Sequence, residues 1–275
     1  MSKLKFITVL FCLSFWPLNL FLANIFSDFL RYLIPALLVG LSIILFTKGA
    51  KVYFIPLLFI PFVEPKLASF PLLTLLGLFF IYKKKSSLIY ITISLLIIAF
   101  MWKNFWGQTI FQYDYEAQQE VIGKSYLYPS VFMARLFQNK PRIYINKFTS
   151  NFLALTDPNN YFFKFHPREI IIDNQNLSKY PFMSIIFALF GLFYLGKNTH
   201  WKFISTVLVA GVLSLSILKI FDRNDFLLWI PILLVIIHGI RNFKFKRKLL
   251  ENIFYLIFTA FTMTELLRII ITTRQ

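Results

Sequence analysis

Three groups of polar residues in this chain have the types and spacing for chemistry. Asp114 and Glu116 flank Tyr115, and such a carboxylate pair can act as general base on a sugar hydroxyl or hold a divalent cation. A solvated acidic loop would carry the same pattern. His166, Arg168 and Glu169 surround Pro167. Their imidazole and guanidinium suit a phosphate or pyrophosphate head group through charge-assisted hydrogen bonds, while an internal Arg168–Glu169 pair would simply anchor the loop. Glu265 and Arg268 lie three residues apart in the last apolar run, on one helical face. They read as a pair that locks that helix, or as a proton or substrate site inside the membrane.

No Walker loop, G-x-S-x-G elbow, H-E-x-x-H motif or Cys/His metal spacing accompanies these groups. The sequence indicates no cofactor and no metal, although a carboxylate pair leaves room for a divalent cation. Cys12 is the single cysteine, which excludes an intrachain disulfide and a cysteine-based metal site.

These residues depend on elements that are mostly apolar. The chain is 58% hydrophobic and 15% charged, with 35 Phe; soluble domains carry about 25% charge. Apolar runs fall at 6–23, 32–47, 52–63, 69–82, 87–101, 181–196, 203–219, 226–240 and 250–271. The reading is an all-α polytopic integral membrane protein of about nine transmembrane helices with one large outer loop domain. The third and fourth runs are short and carry Pro56, Pro61 and Pro71, so they either cross under strain or re-enter. Ala23-Asn24 offers no small-x-small cleavage pattern, so the first helix is expected to be retained. The organisation is a membrane region at 1–101, an outer loop domain at 102–180 and a second membrane region at 181–275.

Charge sets the expected orientation. Gaps on one side hold Lys3, Lys5, Lys48, Lys51, Lys83, Lys84, Lys85, Lys197, Lys202 and the run Arg241–Lys248. Short gaps on the other side, with the C-terminus, hold Arg31, Lys66, Lys219, Arg223, Arg268 and Arg274. The positive-inside rule then puts the N-terminus inside, and 102–180 and the C-terminus outside, the cytoplasmic membrane. Asp28, Glu64, Asp114, Glu116, Glu120, Asp157, Glu169, Asp173, Asp222 and Asp225 fall in outer segments and Glu265 nearby, which leaves Glu251 alone inside. The net charge of +17 sits in gaps between apolar runs, so the basic stretch RNFKFKRK suits anionic lipid rather than nucleic acid. No inverted repeat is visible, which ranks a transporter last.

Within 102–180, Trp102, Phe105 and Trp106 suit a membrane–water interface. Tyr144, Phe148 and Phe152 recur every four residues, the spacing of an amphipathic helix lying along the outer leaflet. Asp157-Pro158-Asn159-Asn160 is turn chemistry.

The stretch from Pro141 through Phe152-Leu153, Asp157-Pro158-Asn159 and His166-Pro167-Arg168-Glu169 to Lys197 resembles the later outer loop of bacterial multi-spanning GT-C-type membrane glycosyltransferases. That resemblance covers about residues 141–197. It implies a polyprenyl-phosphate sugar as substrate at the outer face, with His166 and Arg168 on phosphate. The family places its catalytic carboxylate in a substantial first outer loop. Here that gap runs only from Asn24 to Arg31, with Asp28 as its one acid. Asp28 or Asp114 would then be the base, with Glu116 beside the latter. The alternative is a non-catalytic membrane subunit or scaffold that binds a partner through 102–180.

Overall fold

The computed structural model describes residues 3–22, 26–83, 86–112, 115–127, 129–130, 132–133, 139–163, 179–197 and 200–272. They form an all-α fold of 13 helices. In chain order these are α1 (Lys3–Leu22), α2 (Phe26–Thr47), α3 (Ile55–Val63), α4 (Ser69–Tyr82), α5 (Ser86–Phe100), α6 (Trp102–Trp106) and α7 (Tyr115–Ser125). They continue with α8 (Lys140–Thr156), α9 (Asn159–Phe162), α10 (Ser184–Phe193), α11 (Trp201–Ser216), α12 (Trp229–Asn242) and α13 (Lys248–Thr272). A 3₁₀ turn at Asp222–Leu228 leads into α12.

Every apolar run of the sequence is helical, because helix is the local structure that satisfies backbone polar groups within an apolar segment. Hydroxyls inside the runs follow the same logic by turning back on their own helix. Thr8 donates to Leu4 O at 3.0 Å, Thr74 to Phe70 O at 2.9 Å and Ser94 to Tyr90 O at 3.0 Å. Among the described residues, five stretches are long and apolar enough to cross a membrane: Lys3–Phe21, Phe29–Thr47, Pro65–Tyr82, Arg223–Asn242 and Lys248–Ile271. This is fewer than the nine spans expected. Ser87–Phe100, Ser184–Phe193 and Trp201–Ser216 are apolar but shorter, and α3 has only 9 residues. Phe6, Phe59, Leu96, Phe193 and Leu256 all lie on the outside of the bundle. An exterior with that much apolar surface is suited to lipid.

Packing in the bundle uses small residues at close approaches. Where α10 meets α12, a Cβ on Gly191 would collide with the Val235 carbonyl, and one on Gly239 with the Phe187 carbonyl. Only glycine lets the two backbones lie this close. The hydroxyls of Ser69 and Ser214 meet at 2.6 Å, both buried, where α4 packs on α11.

No large outer loop domain is seen among the described residues of 102–180, and those residues are fastened to the bundle. Asn151 of α8 donates to the carbonyls of Ser216 and Leu218 at 3.3 and 2.6 Å. The backbone of Ile110 donates to Ile217 O at 2.8 Å, and that of Lys219 to Gln108 O at 2.9 Å. The buried face of α8 is Ile143, Asn151, Ala154 and Leu155, whereas Tyr144, Phe148 and Phe152 are half-buried. The packed face is therefore turned beside the expected stripe, with Asn151 satisfied by two carbonyls at and just past the end of α11.

Candidate functional site at the charge-paired end

Helices α1, α11 and α13 end, and α2, α4, α10 and α12 begin, at one end of the bundle. The most heavily buried charges lie there. Lys179 and Asp225, 3% and 1% exposed, form an ion pair, and the Lys179 ammonium also donates to Asn160 Oδ1. The ammonium stands 5.4 Å from the Trp16 ring and 5.5 Å from the Tyr161 ring, within cation–π range. Trp16 in turn packs edge-on to Tyr161, Tyr180 and Phe226, at 6.1, 5.5 and 5.3 Å between ring centres.

Local structure explains how these groups meet. Residues 157–162 turn because Asp157 Oδ1 accepts the Asn159 amide at 2.9 Å and the Pro158 carbonyl accepts those of Tyr161 and Phe162. The Tyr161 carbonyl then accepts the amides of Lys179 and Tyr180, at 3.2 and 2.9 Å, which brings two distant segments together. Tyr161 donates its hydroxyl to Leu155 O at 2.7 Å, and Tyr180 donates to Trp229 O at 2.5 Å. Burial, with the Asp225 charge added, pushes the Tyr161 phenol well above its ordinary range. Burial raises Tyr180 in the same way, with Cys12, Tyr161 and Asp225 adding to it. Both phenols are therefore held toward the neutral form.

A second pair at this end joins Arg31 of α2 to Glu64, just past the end of α3. Arg31 grips Glu64 with two nitrogens, Nη2 reaching Oε1 at 3.1 Å. Glu64 is fully buried and also accepts the Lys66 amide at 3.4 Å, which caps the short turn before α4. The bidentate fork gives this pair geometric definition as well as charge.

Of the residues singled out in the sequence, Glu265 and Arg268 are both on α13. Glu265 accepts the backbone amide of Phe182, at 3.3 Å, at the start of α10, and Arg268 is exposed. Asp28 falls in the first turn of α2 and Glu116 in the first turn of α7, with side chains outside the described residues. Asp114, His166 and Arg168 lie outside the described residues altogether. No group of three or more His, Cys, Asp or Glu able to hold a metal ion occurs among the described residues.

Sequence reasoning missed Lys179 and Asn160. The available signal was slight: a lysine directly before Tyr180-Pro181 at the edge of an apolar run, and a turn rich in asparagine. What the cluster does chemically follows from its burial. A fully desolvated, mutually neutralised pair is costly to break and closed to substrate, so it fixes α1, α9 and α12 relative to one another. No family model, no curated protein and no solved structure matches this chain.

Proposed function

We propose that this chain is an integral protein of the cytoplasmic membrane, N-terminus inside, that acts as a non-catalytic subunit or scaffold presenting its outer segments to a protein partner. One observation carries the reading. Each carboxylate of the outer end whose side chain is described is spent on an internal contact: Glu64 on Arg31, Asp157 on the Asn159 amide, Asp225 on Lys179, and Glu265 on the Phe182 amide. Glu64 and Asp225 are buried in ion pairs, and Asp157 and Glu265 hold backbone amides at the surface, so all four serve to build the end of the bundle. The orientation rests on the excess of lysine and arginine at the opposite end.

The test is purification in mild detergent. One partner in fixed stoichiometry is expected, and alanine at the exposed Tyr115, Gln118 and Gln119 of α7 should release it. Loss of an envelope glycan on Asp28→Asn, Asp114→Asn or Glu116→Gln would overturn the scaffold and favour the second reading.

That second reading is glycosyltransferase-like handling of a polyprenyl-phosphate sugar at the outer face, with Asp28, Asp114 or Glu116 as base and His166 and Arg168 on phosphate. It is supported by an apolar groove of about 250 Å³ between α8 and α12, lined by Leu155, Leu189, Leu208 and Ile232, which suits an isoprenoid tail.

A further inference from the structure

At the other end of the bundle α2 and α4 finish while α5 and α11 begin, and between them lies a cavity of about 620 Å³. Small-molecule sites occupy roughly 300–1,000 Å³, so this one has room for a ligand head group with part of its body. Its wall is built by a stop signal in the sequence. Gly49 adopts φ +73°, a left-handed value open to glycine, and the amides of Gly49 and Ala50 close back on Phe46 and Leu45. The chain then reverses through Lys51 and Tyr53, the Tyr53 carbonyl accepting the buried Ser42 hydroxyl at 2.6 Å.

The described lining is mostly aromatic, with Lys51 as its cation. Phe46 stacks on Phe203 at 4.0 Å and meets Tyr53, Tyr82 and His200 at 5.1, 5.9 and 6.2 Å. Tyr90 stacks on Phe54, and Lys51 and His200 complete the rim. No carboxylate is among the described residues that line the cavity. Two helix C-termini and two N-termini converge here, so their dipoles offset one another and the side chains set the sign of the field. Lys51, with Lys48, Lys83 and Lys202 on the same helix ends, makes it positive. Tyr82 adds a hydroxyl that has no hydrogen-bond partner among the described residues.

We infer that this cavity binds the phosphate head of an anionic amphiphile, with Lys51 and the Tyr82 hydroxyl on the phosphate and the rings of Phe46, Tyr53 and Tyr90 against its apolar body. A quaternary ammonium is disfavoured despite the aromatic walls, because Lys51 would repel it. Nothing in the proposed scaffold role requires this site, so the two stand or fall separately.

The experiment uses the full chain in phosphatidylcholine nanodiscs, with the unfolding temperature as readout. Discs doped with phosphatidate are one arm, and added inorganic phosphate is the other. A rise in the doped discs alone assigns the site to a lipid head group, and a rise with inorganic phosphate as well assigns it to a free phosphate; both support the inference. Lys51→Ala and Tyr82→Phe should each weaken binding about tenfold or more, the worth of a hydrogen bond to a charged group. Lys51→Arg should retain it, and so should Lys246→Ala in the separate basic run. Lys51 is exposed, so its loss leaves folding intact. No rise in either arm, or an equal rise in Lys51→Ala and Tyr82→Phe, would overturn the assignment.

Discussion

The two ends of the bundle handle charge in opposite ways. At the end holding Trp16 and Tyr180, two ion pairs tie the structure together: Lys179 with Asp225, both buried, and the half-exposed Arg31 with the buried Glu64. At the end holding Phe46 and His200, Glu251 is the one acid on the expected inner side, and its contact with Lys5 at 2.7 Å engages a single lysine of many. The rest of the basic residues keep their field. Cancelled charge makes a rigid, closed structure, and uncancelled charge beside a cavity makes a place for an anion. The same residue types therefore serve architecture at one end and recognition at the other.

The strongest way to break this contrast is to uncancel the first end. Asp225→Ala should cost about 3–5 kcal/mol, because it strands the Lys179 ammonium in a dry site. Thermal unfolding in detergent measures this. The paired replacement Lys179→Met with Asp225→Leu should recover most of the loss, and failure to recover would mean the pair contributes more than charge balance. Arg31→Ala should cost less, about 1–3 kcal/mol. Glu64 is left buried, but Arg31 is itself 45% exposed and its site is open to water. A third, smaller effect sharpens the comparison by pH. The Tyr161 phenol has a folded value raised above its unfolded value of 10.0, so its contribution is complete below pH 10.0 and falls as pH rises beyond it. The slope should be about 1.4 kcal/mol per pH unit for one such group. Tyr161→Phe should flatten the alkaline limb of the stability profile by that amount, and an unchanged limb would place the phenol in water.

Much of this architecture is legible in the residues. Each apolar run is a helix because its composition allows no other local solution, and the prolines at 56 and 61 fall in the short α3. The number of full-length spans is less legible, since α10 and α11 end sooner than their apolar runs. The candidate site was hardly legible at all. Lys179 and Asp225 are 46 residues apart, and Arg31 and Glu64 are 33 apart. Their meeting depends on how helices return through the bundle, which no local spacing encodes. The aromatic cavity was closer to view: Phe46, Tyr53, Tyr82 and Tyr90 all sit where apolar runs meet lysines. That placement ordinarily marks an interface belt, and only the fold turns those rings toward a common space.

The glycine seam between α10 and α12 bears on how the chain is assembled over time. α10 has 10 residues, a rise of about 15 Å against a hydrocarbon layer of about 30 Å. It cannot settle there by length alone. Its closest backbone neighbour comes through Gly239, far downstream. Synthesis runs from the N-terminus, so α10 is finished as a buried element only after α12 has been made. Residues 184–193 therefore gain their closest backbone packing only once α12 is in place.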